Sequence, residues 1–434
     1  MFFDYLNPNE DRPELLIDRA QERAWLKEGF EGYLELCRAQ DRRPPGPRVL
    51  CLTGAKGSGK SILARSAFHA LRKDWSAETL FLEVDCRPLR NSREVLGTIA
   101  EKAQEELAGL KEAGAALPKG LAETAGALVE LTRFDAVERR QIHEILVGYK
   151  GALELDTKRK FLAVLGVSFG ISLTREKKER DRLEGLVAFD LPRLVQLLIA
   201  FLEDVREAGL SVLLLLDNFD ELDHQYGNDS VLERVRNETD WILRLRRAPI
   251  GLLFCMRTYY NGIVPRDLTN RRSLGALSAE GLQEVLTRRL QEELEKTQRL
   301  TATEKAQTVI ERFSDMAPTP LTFLMWFKYV AELDTLDPKR LDALALEYVE
   351  SQFGTVSLSV LRTLIGAFAK AGGGDPDVSL TRTEVLEAVG GNEALLAQLQ
   401  DRQVILPRDF WNPNAFTLDP ELHWYFHTIR GDQG

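Results

Sequence analysis

Eight residues, Gly54-Ala55-Lys56-Gly57-Ser58-Gly59-Lys60-Ser61, have the types and the spacing to hold a phosphate. The glycines let consecutive backbone N–H groups converge on one anion, since a side chain there would block the approach. The Lys60 ammonium is suited to bridge the outer phosphates of a nucleotide, and the Ser61 hydroxyl to ligate Mg²⁺. With Ile62 adjoining, these residues form the candidate cofactor-binding set, and ATP and Mg²⁺ are the expected cofactors. A second group, Asp217-Asn218-Phe219-Asp220-Glu221, follows the apolar run Val212-Leu213-Leu214-Leu215-Leu216. Asp217 is placed to hold the Mg²⁺, directly or through water. Asp220 and Glu221 are candidates to orient or deprotonate an attacking water. Arg257 ends another apolar run, where it can either reach a γ-phosphate or make a surface salt bridge.

Particular elements must position these groups. Val49–Thr53 is short and apolar, as in a buried strand, and Ile62–Leu71 is apolar at helical spacing. Strand, glycine-rich turn and helix is the context that makes the pattern a phosphate site, with the helix N-terminus adding partial positive charge. Five apolar residues in a row before Asp217 predict a strand buried on both faces, hence a parallel sheet covered by helices. Acidic residues just past such a strand lie where an α/β sheet places its ligands. Thr79–Cys86, Pro249–Met256 and Arg271–Leu274 read as further strands, the last carrying two arginines. Glu14–Leu26 leads into an amphipathic helix expected to run to about Cys37, and further helices are expected over Leu191–Glu207 and from Ala279 to Thr297 behind a Ser278 cap. Thr301-Ala302-Thr303-Glu304 opens another helix, and an apolar one covers Thr322–Leu333.

At 434 residues the chain has room for two or three domains. A net charge of −10 and a pI near 5.3 argue against a protein that coats nucleic acid non-specifically. Cys37, Cys51, Cys86 and Cys255 lack metal-ligand spacing and read as buried thiols. Apolar runs are too short to cross a bilayer, and the N-terminus shows no leader pattern, so no membrane association and a cytoplasmic location are expected.

Residues 100–188 read as an insertion, rich in Ala, Glu and Lys, with period-two alternation at Val167, Phe169, Ile171 and Leu173 that suggests a strand or hairpin. From about residue 340 the pattern changes to helices near 357–370, 381–389 and 392–400, then strands at 404–407 and 415–418. Three helices followed by a two-stranded wing outline a winged helix. Its third helix carries no lysine or arginine, and only Arg402 and Arg408 stand close behind it. A protein-contact module is therefore favoured over a DNA reader.

Together these motifs resemble the AAA+ and STAND branches of the P-loop ATPases, notably origin-initiator-like and archaeal STAND-type members, over about residues 12–335. Ile17-Asp18-Arg19-Ala20-Gln21-Glu22 is similar to the motif apolar-Gly-Arg-x-x-Glu that lies against adenine, with Asp18 in the glycine position, which implies contacts from Ile17 and Arg19. Leu216–Glu221 resembles Walker B, but Asn218 stands where AAA+ enzymes carry the catalytic glutamate. Hydrolysis would then depend on Asp220 or Glu221. Arg257 matches a STAND sensor arginine, and Arg272 is similar in position to an arginine finger acting across a subunit interface. Met316–Leu321 resembles the Gly-x-Pro lid motif, with Pro320 kept and Pro318 in place of glycine.

The resemblance implies an α/β P-loop NTPase with an ASCE-type parallel sheet, a helical lid and a C-terminal winged-helix domain. Its implied divisions are a leading segment and helix (1–47), the ATPase core (48–275), the lid (276–340) and the winged-helix-like region (341–434). The implied activity is a slow ATPase that self-associates and couples nucleotide state to a partner protein or DNA, in defence or mobile-element biology. The alternatives are a DNA-binding initiator or loader, and a nucleotide-binding scaffold that does not hydrolyse.

Overall fold

The structure, a computed structural model, describes residues 19–39, 48–55, 57–115, 117–118, 120–133, 136–138, 186–188, 191–219, 241, 244–245, 248–257, 270–275, 277–291, 304, 307, 310–311, 319–321, 323–324, 356–372, 378–402, 404–409, 412–419 and 422. At its centre lies a five-stranded sheet built from β1 (Arg48–Gly54), β2 (Thr79–Asp85), β5 (Ser211–Asp217), β6 (Gly251–Met256) and β7 (Asn270–Leu274), in the order β2-β5-β6-β1-β7. Every pairing in it is parallel. One strand, β6, separates the phosphate-loop strand β1 from the acidic strand β5. All seven residues of β5 are buried, because helices cover both sides.

Alternation along the strands sends successive side chains to opposite layers. Leu50, Leu52, Leu213, Leu215 and Leu253 pack with α1 (Ala20–Arg38) and α2 (Lys60–Trp75). Leu80, Leu82, Leu214, Leu216 and Phe254 pack on the other side with α3 (Ser92–Glu112), α4 (Leu121–Thr132) and α5 (Leu191–Glu207). The leading helix α1 is therefore part of the core layer. Tyr33 Oη donates to the Pro249 carbonyl at 2.5 Å, and Arg206 Nη2 donates to the Cys37 carbonyl at 2.6 Å. Gly251 leaves room for it: a Cβ there would lie 3.1 Å from the Phe30 ring and 2.5 Å from Leu213.

The expected insertion boundary at residue 100 falls inside α3. That helix buries Val95, Leu96, Ile99, Ala103 and Leu107 in the same core as β2, and α4 follows it there, so residues 92–132 belong to the sandwich. A short antiparallel pair joins β3 (Ala136–Glu138) to β4 (Leu186–Ala188). The alternating stretch Val167–Leu173 lies outside the described residues.

After β7, α6 (Ala279–Gln291) opens with Ser278, whose Oγ accepts from Gly281 N at 3.1 Å, as expected of a cap. Its extension to Thr297, residues 301–303 of the expected helix opening and most of 322–333 lie outside the described residues. The C-terminal region holds α7 (Leu358–Gly372), β8 (Leu380–Thr381), α8 (Arg382–Ala388), α9 (Glu393–Asp401), β9 (Ile405–Asp409) and β10 (Asn412–Leu418). Its strands form an antiparallel sheet in the order β8-β10-β9. Two strands were expected here. The third, β8, is two residues long, too short to leave a periodic signal. Thr381 and Glu384 form a reciprocal capping box at α8, and Asn392 caps α9. All four cysteines are buried thiols, none of them in a disulfide. Among the described residues no helix is long and apolar enough to cross a membrane.

Candidate functional site

The phosphate loop runs from the end of β1 into the first turn of α2. Gly57 and Gly59 adopt φ values of +74° and +92°, the left-handed region that an L side chain resists. The loop therefore turns tightly, and within it Ser58 N donates to the Ala55 carbonyl at 3.2 Å. Lys60 is buried at 8% exposure, and its Nζ donates to the carbonyls of Gly54 at 3.0 Å and Ala55 at 2.9 Å. The ammonium is thus held over the loop that its charge would complement. Ser61 and Ile62 follow in the first turn of α2, while Lys56 lies outside the described residues.

Asp217 comes to this loop from across the intervening strand β6. Its Oδ1 accepts from Ser61 Oγ at 3.0 Å and from Asn218 N at 2.9 Å, and its Oδ2 faces Arg65 Nη2 at 3.3 Å. Octahedral Mg²⁺ with ligands at 2.0–2.1 Å sets neighbouring ligand oxygens about 2.9 Å apart. The Ser61–Asp217 separation fits two adjacent positions of such a shell, a hydroxyl and a carboxylate being the hard donors this ion takes. Burial pushes the Asp217 carboxyl above its usual range, with the Ser61 hydrogen bond and the Arg65 charge working against that rise. A cation beside Asp217 would offset the cost of keeping it ionised.

Asn218 has φ +52°, the only non-glycine residue with positive φ among the described residues. Its Nδ2 donates to Asp85 Oδ1 at 3.0 Å. Asp85 ends β2 directly opposite Asp217 in the parallel register. Arg87 grips Asp85 with Nε at 3.0 Å and Nη2 at 2.6 Å to Oδ2, and with its backbone N at 3.1 Å to Oδ1. Burial works to raise the Asp85 carboxyl, yet the hydrogen bonds from Arg87 and Asn218 win and hold it below the usual range. Asp220 and Glu221 lie outside the described residues.

Neither Arg65 nor Asp85 stands out in the sequence. A signal for each exists. Arg65 is four residues beyond Ser61, on the same helical face, and Asp85 is the acidic residue at a strand end, as Asp217 is.

Three predicted arginines have distinct surroundings. Arg257 follows β6, one residue past the Thr53–Met256 pair, which sets it level with the start of the phosphate loop. Arg272 pairs with Leu52 on the edge strand β7, and its Nη2 lies 3.4 Å from Gln21 Oε1. Arg19 is buried at 7% exposure, donates to the Gly275 carbonyl at 2.6 Å and faces Glu22 at 3.7 Å. It ties the start of α1 to the end of β7. Ile17 lies outside the described residues.

A strand order with β6 between the phosphate loop and Asp217 is the ASCE arrangement, and residues 33–228 match the family model described as AAA ATPase domain. The fold is of the α/β P-loop type, and the matched stretch is similar to an AAA ATPase domain. Similar solved structures include the Aeropyrum pernix ORC2 protein in its ADP form, at 13% identity and TM-score 0.49, covering 99% of this chain and 97% of that one. The Aeropyrum pernix ORC1 protein in complex with DNA is similar at 12% identity and TM-score 0.46, covering 99% and 97%. The Cdc6p of Pyrobaculum aerophilum follows at 14% identity and TM-score 0.38, covering 99% and 98%. No curated protein matches the chain.

The Thr319–Leu321 turn, the first of a helix, rests on the phosphate loop. Leu321 N donates to the Gly57 carbonyl at 3.3 Å. A Cβ on Gly57 would stand 2.2 Å from Leu321 Cβ and 2.9 Å from Thr319 Oγ1. The Pro320 segment singled out in the sequence thus meets the phosphate loop directly.

Proposed function

We propose that this chain binds ATP·Mg²⁺ and hydrolyses it slowly as a self-associating nucleotide switch. The observation that carries the reading is the meeting of Ser61 Oγ and Asp217 Oδ1 at 3.0 Å beside a loop that Lys60 spans. Lys60 and the loop amides would hold the phosphates, and Ser61 with Asp217 would hold the metal, which neutralises charge on the transferring phosphoryl group. Arg257, level with the loop, would report the γ-phosphate. Arg272 would serve a neighbouring subunit, since it lies on the edge strand of the sheet.

The C-terminal helices and sheet act as a winged-helix-like module that the switch moves against a partner protein. A protein partner is favoured over DNA because α9 offers Glu393 and Asp401 but no lysine or arginine, and Arg382 from α8 is itself paired with Glu393. An initiator-like DNA role is the second reading, and in it Arg402 and Arg408 would supply the phosphate contacts.

Calorimetry tests the first step. The parent protein should bind ATP in Mg²⁺, and Lys60→Ala should weaken binding by about 10²–10³-fold, the size of losing one partner of a desolvated charge pair. Unchanged affinity in that variant would exclude the phosphate-loop reading. Turnover per subunit should rise with protein concentration; binding without turnover would leave a scaffold. DNA retention that falls steeply between low and physiological salt would favour the initiator-like reading.

A further inference from the structure

Resting on the hydrolysis reading above, we propose that Asn218 itself positions the attacking water, through an amide oxygen whose direction is set by Asp85. An asparagine after Asp217 otherwise looks like a lost catalytic carboxylate.

The amide of Asn218 has two ends, one a donor and one an acceptor. Its Nδ2 donates to Asp85 Oδ1 at 3.0 Å, and the reverse orientation would press two acceptors together. Oδ1 is then the end of the amide not engaged by Asp85. In the sheet order β2-β5-β6-β1 Asn218 stands between Asp85 on one side and the phosphate loop beyond β6 on the other, so this oxygen is the acceptor on offer to a water at the loop. Asn218 N is meanwhile fixed on Asp217 Oδ1 at 2.9 Å, and that oxygen also takes Ser61 Oγ at 3.0 Å. A run of hydrogen bonds therefore connects the metal-binding hydroxyl to the oriented amide.

Asp85 is suited to clamp rather than to react. Arg87 engages it through three nitrogens, so its lone pairs are largely taken and it stays ionised. The left-handed backbone of Asn218, φ +52°, is uncommon for a non-glycine residue, though asparagine tolerates it best. Together these fix an acceptor oxygen at the C-terminal edge of the sheet, where ligands of α/β folds bind.

An amide can orient a water in phosphoryl transfer without taking its proton, as a glutamine does in other P-loop NTPases. The water oxygen forms a bond to the γ-phosphorus as the bond to the β,γ-bridging oxygen breaks. The bridging oxygen leaves with the electron pair in ADP, and the water proton ends on the inorganic phosphate. Asn218 accepts a hydrogen bond throughout, and Asp85 acts as a positioning residue.

The test is steady-state ATP hydrolysis with calorimetric ATP affinity and thermal unfolding in parallel. Asn218→Ala should lower kcat about 10²-fold, the size of misplacing a reactant by about an ångström, with KM within about twofold and an unfolding temperature only a few degrees lower, since alanine lacks the Asp85 hydrogen bond and resists φ +52°. Asn218→Asp alone sets two carboxylates face to face and should lower kcat as well. Combined with Asp85→Asn the donor and acceptor are exchanged, an oxygen is again on offer to the water, and kcat should recover to within about tenfold of the parent. If Asn218→Ala hydrolyses ATP within twofold of the parent, or if kcat and affinity fall together with stability, the proposal is wrong and the hydrolysis reading stands. A parent protein that binds ATP and never turns it over overturns both.

Discussion

Replacing Gly57 by alanine tests the contact between the phosphate loop and the Thr319–Leu321 turn. Gly57 has φ +74°, so an L residue there costs about 1–2 kcal/mol before any contact is considered. The new Cβ would fall 2.2 Å from Leu321 Cβ, a backbone-proximal atom that no rotamer can move away. Non-bonded carbons settle at about 3.5–4.0 Å, so the turn must retreat by roughly an ångström or more. That retreat breaks the 3.3 Å hydrogen bond from Leu321 N to the Gly57 carbonyl, worth about 1 kcal/mol. Gly59→Ala is the matched comparison. Its φ is +92°, but nothing lies within 4 Å of the added methyl, so the conformational cost stands alone. Urea unfolding without nucleotide should show Gly57→Ala less stable than Gly59→Ala by about 1 kcal/mol or more. Hydrogen exchange at the Leu321 amide should speed up about fivefold or more in Gly57→Ala and stay at the parental rate in Gly59→Ala. Equal destabilisation with parental exchange in both variants would refute the contact.

Other perturbations separate the roles of neighbouring groups. Burial raises the Asp217 carboxyl, so the folded chain holds that proton more tightly than the unfolded chain, and this group's stability contribution falls as pH rises from the ordinary carboxylate range through the raised value. Asp217→Asn should therefore unfold at the same or a higher temperature at pH 7 while losing Mg²⁺-dependent ATP affinity; a clear drop in unfolding temperature would mean that attraction to Arg65 outweighs burial. Asp85 has the opposite sign, its stabilisation present above the ordinary carboxylate range and lost as pH falls through its lowered value, so the stability deficit of Asp85→Asn should close in acid. Arg272→Ala should leave ATP affinity unchanged and flatten the dependence of turnover on protein concentration, as a group acting across subunits requires. Thr381→Ala removes one side of the α8 capping box and should cost about 1 kcal/mol in urea unfolding without touching ATP affinity.

The sequence by itself determined the elements whose signal is local. The phosphate loop is contiguous, and its conformation follows from where its own glycines stand. The uniform apolar run of β5 announced burial on both faces, and the full length of α5 was readable from its helical periodicity. The capping residue Ser278 marked a helix start because a cap acts on backbone only three residues away. Tertiary structure decided what depends on pairings between distant residues. Only the sheet order could show that β6 separates β1 from β5, that α1 and α3 are layers of the core, and that Arg19 is tied to the Gly275 carbonyl. It also changed the meaning of Asn218. In one dimension that residue is a missing glutamate; in the sheet it lies beside Asp85, 133 positions away in the chain. A hydrogen bond orients an amide only when its partner is in place, and that partner is supplied by strand register, which no local pattern encodes.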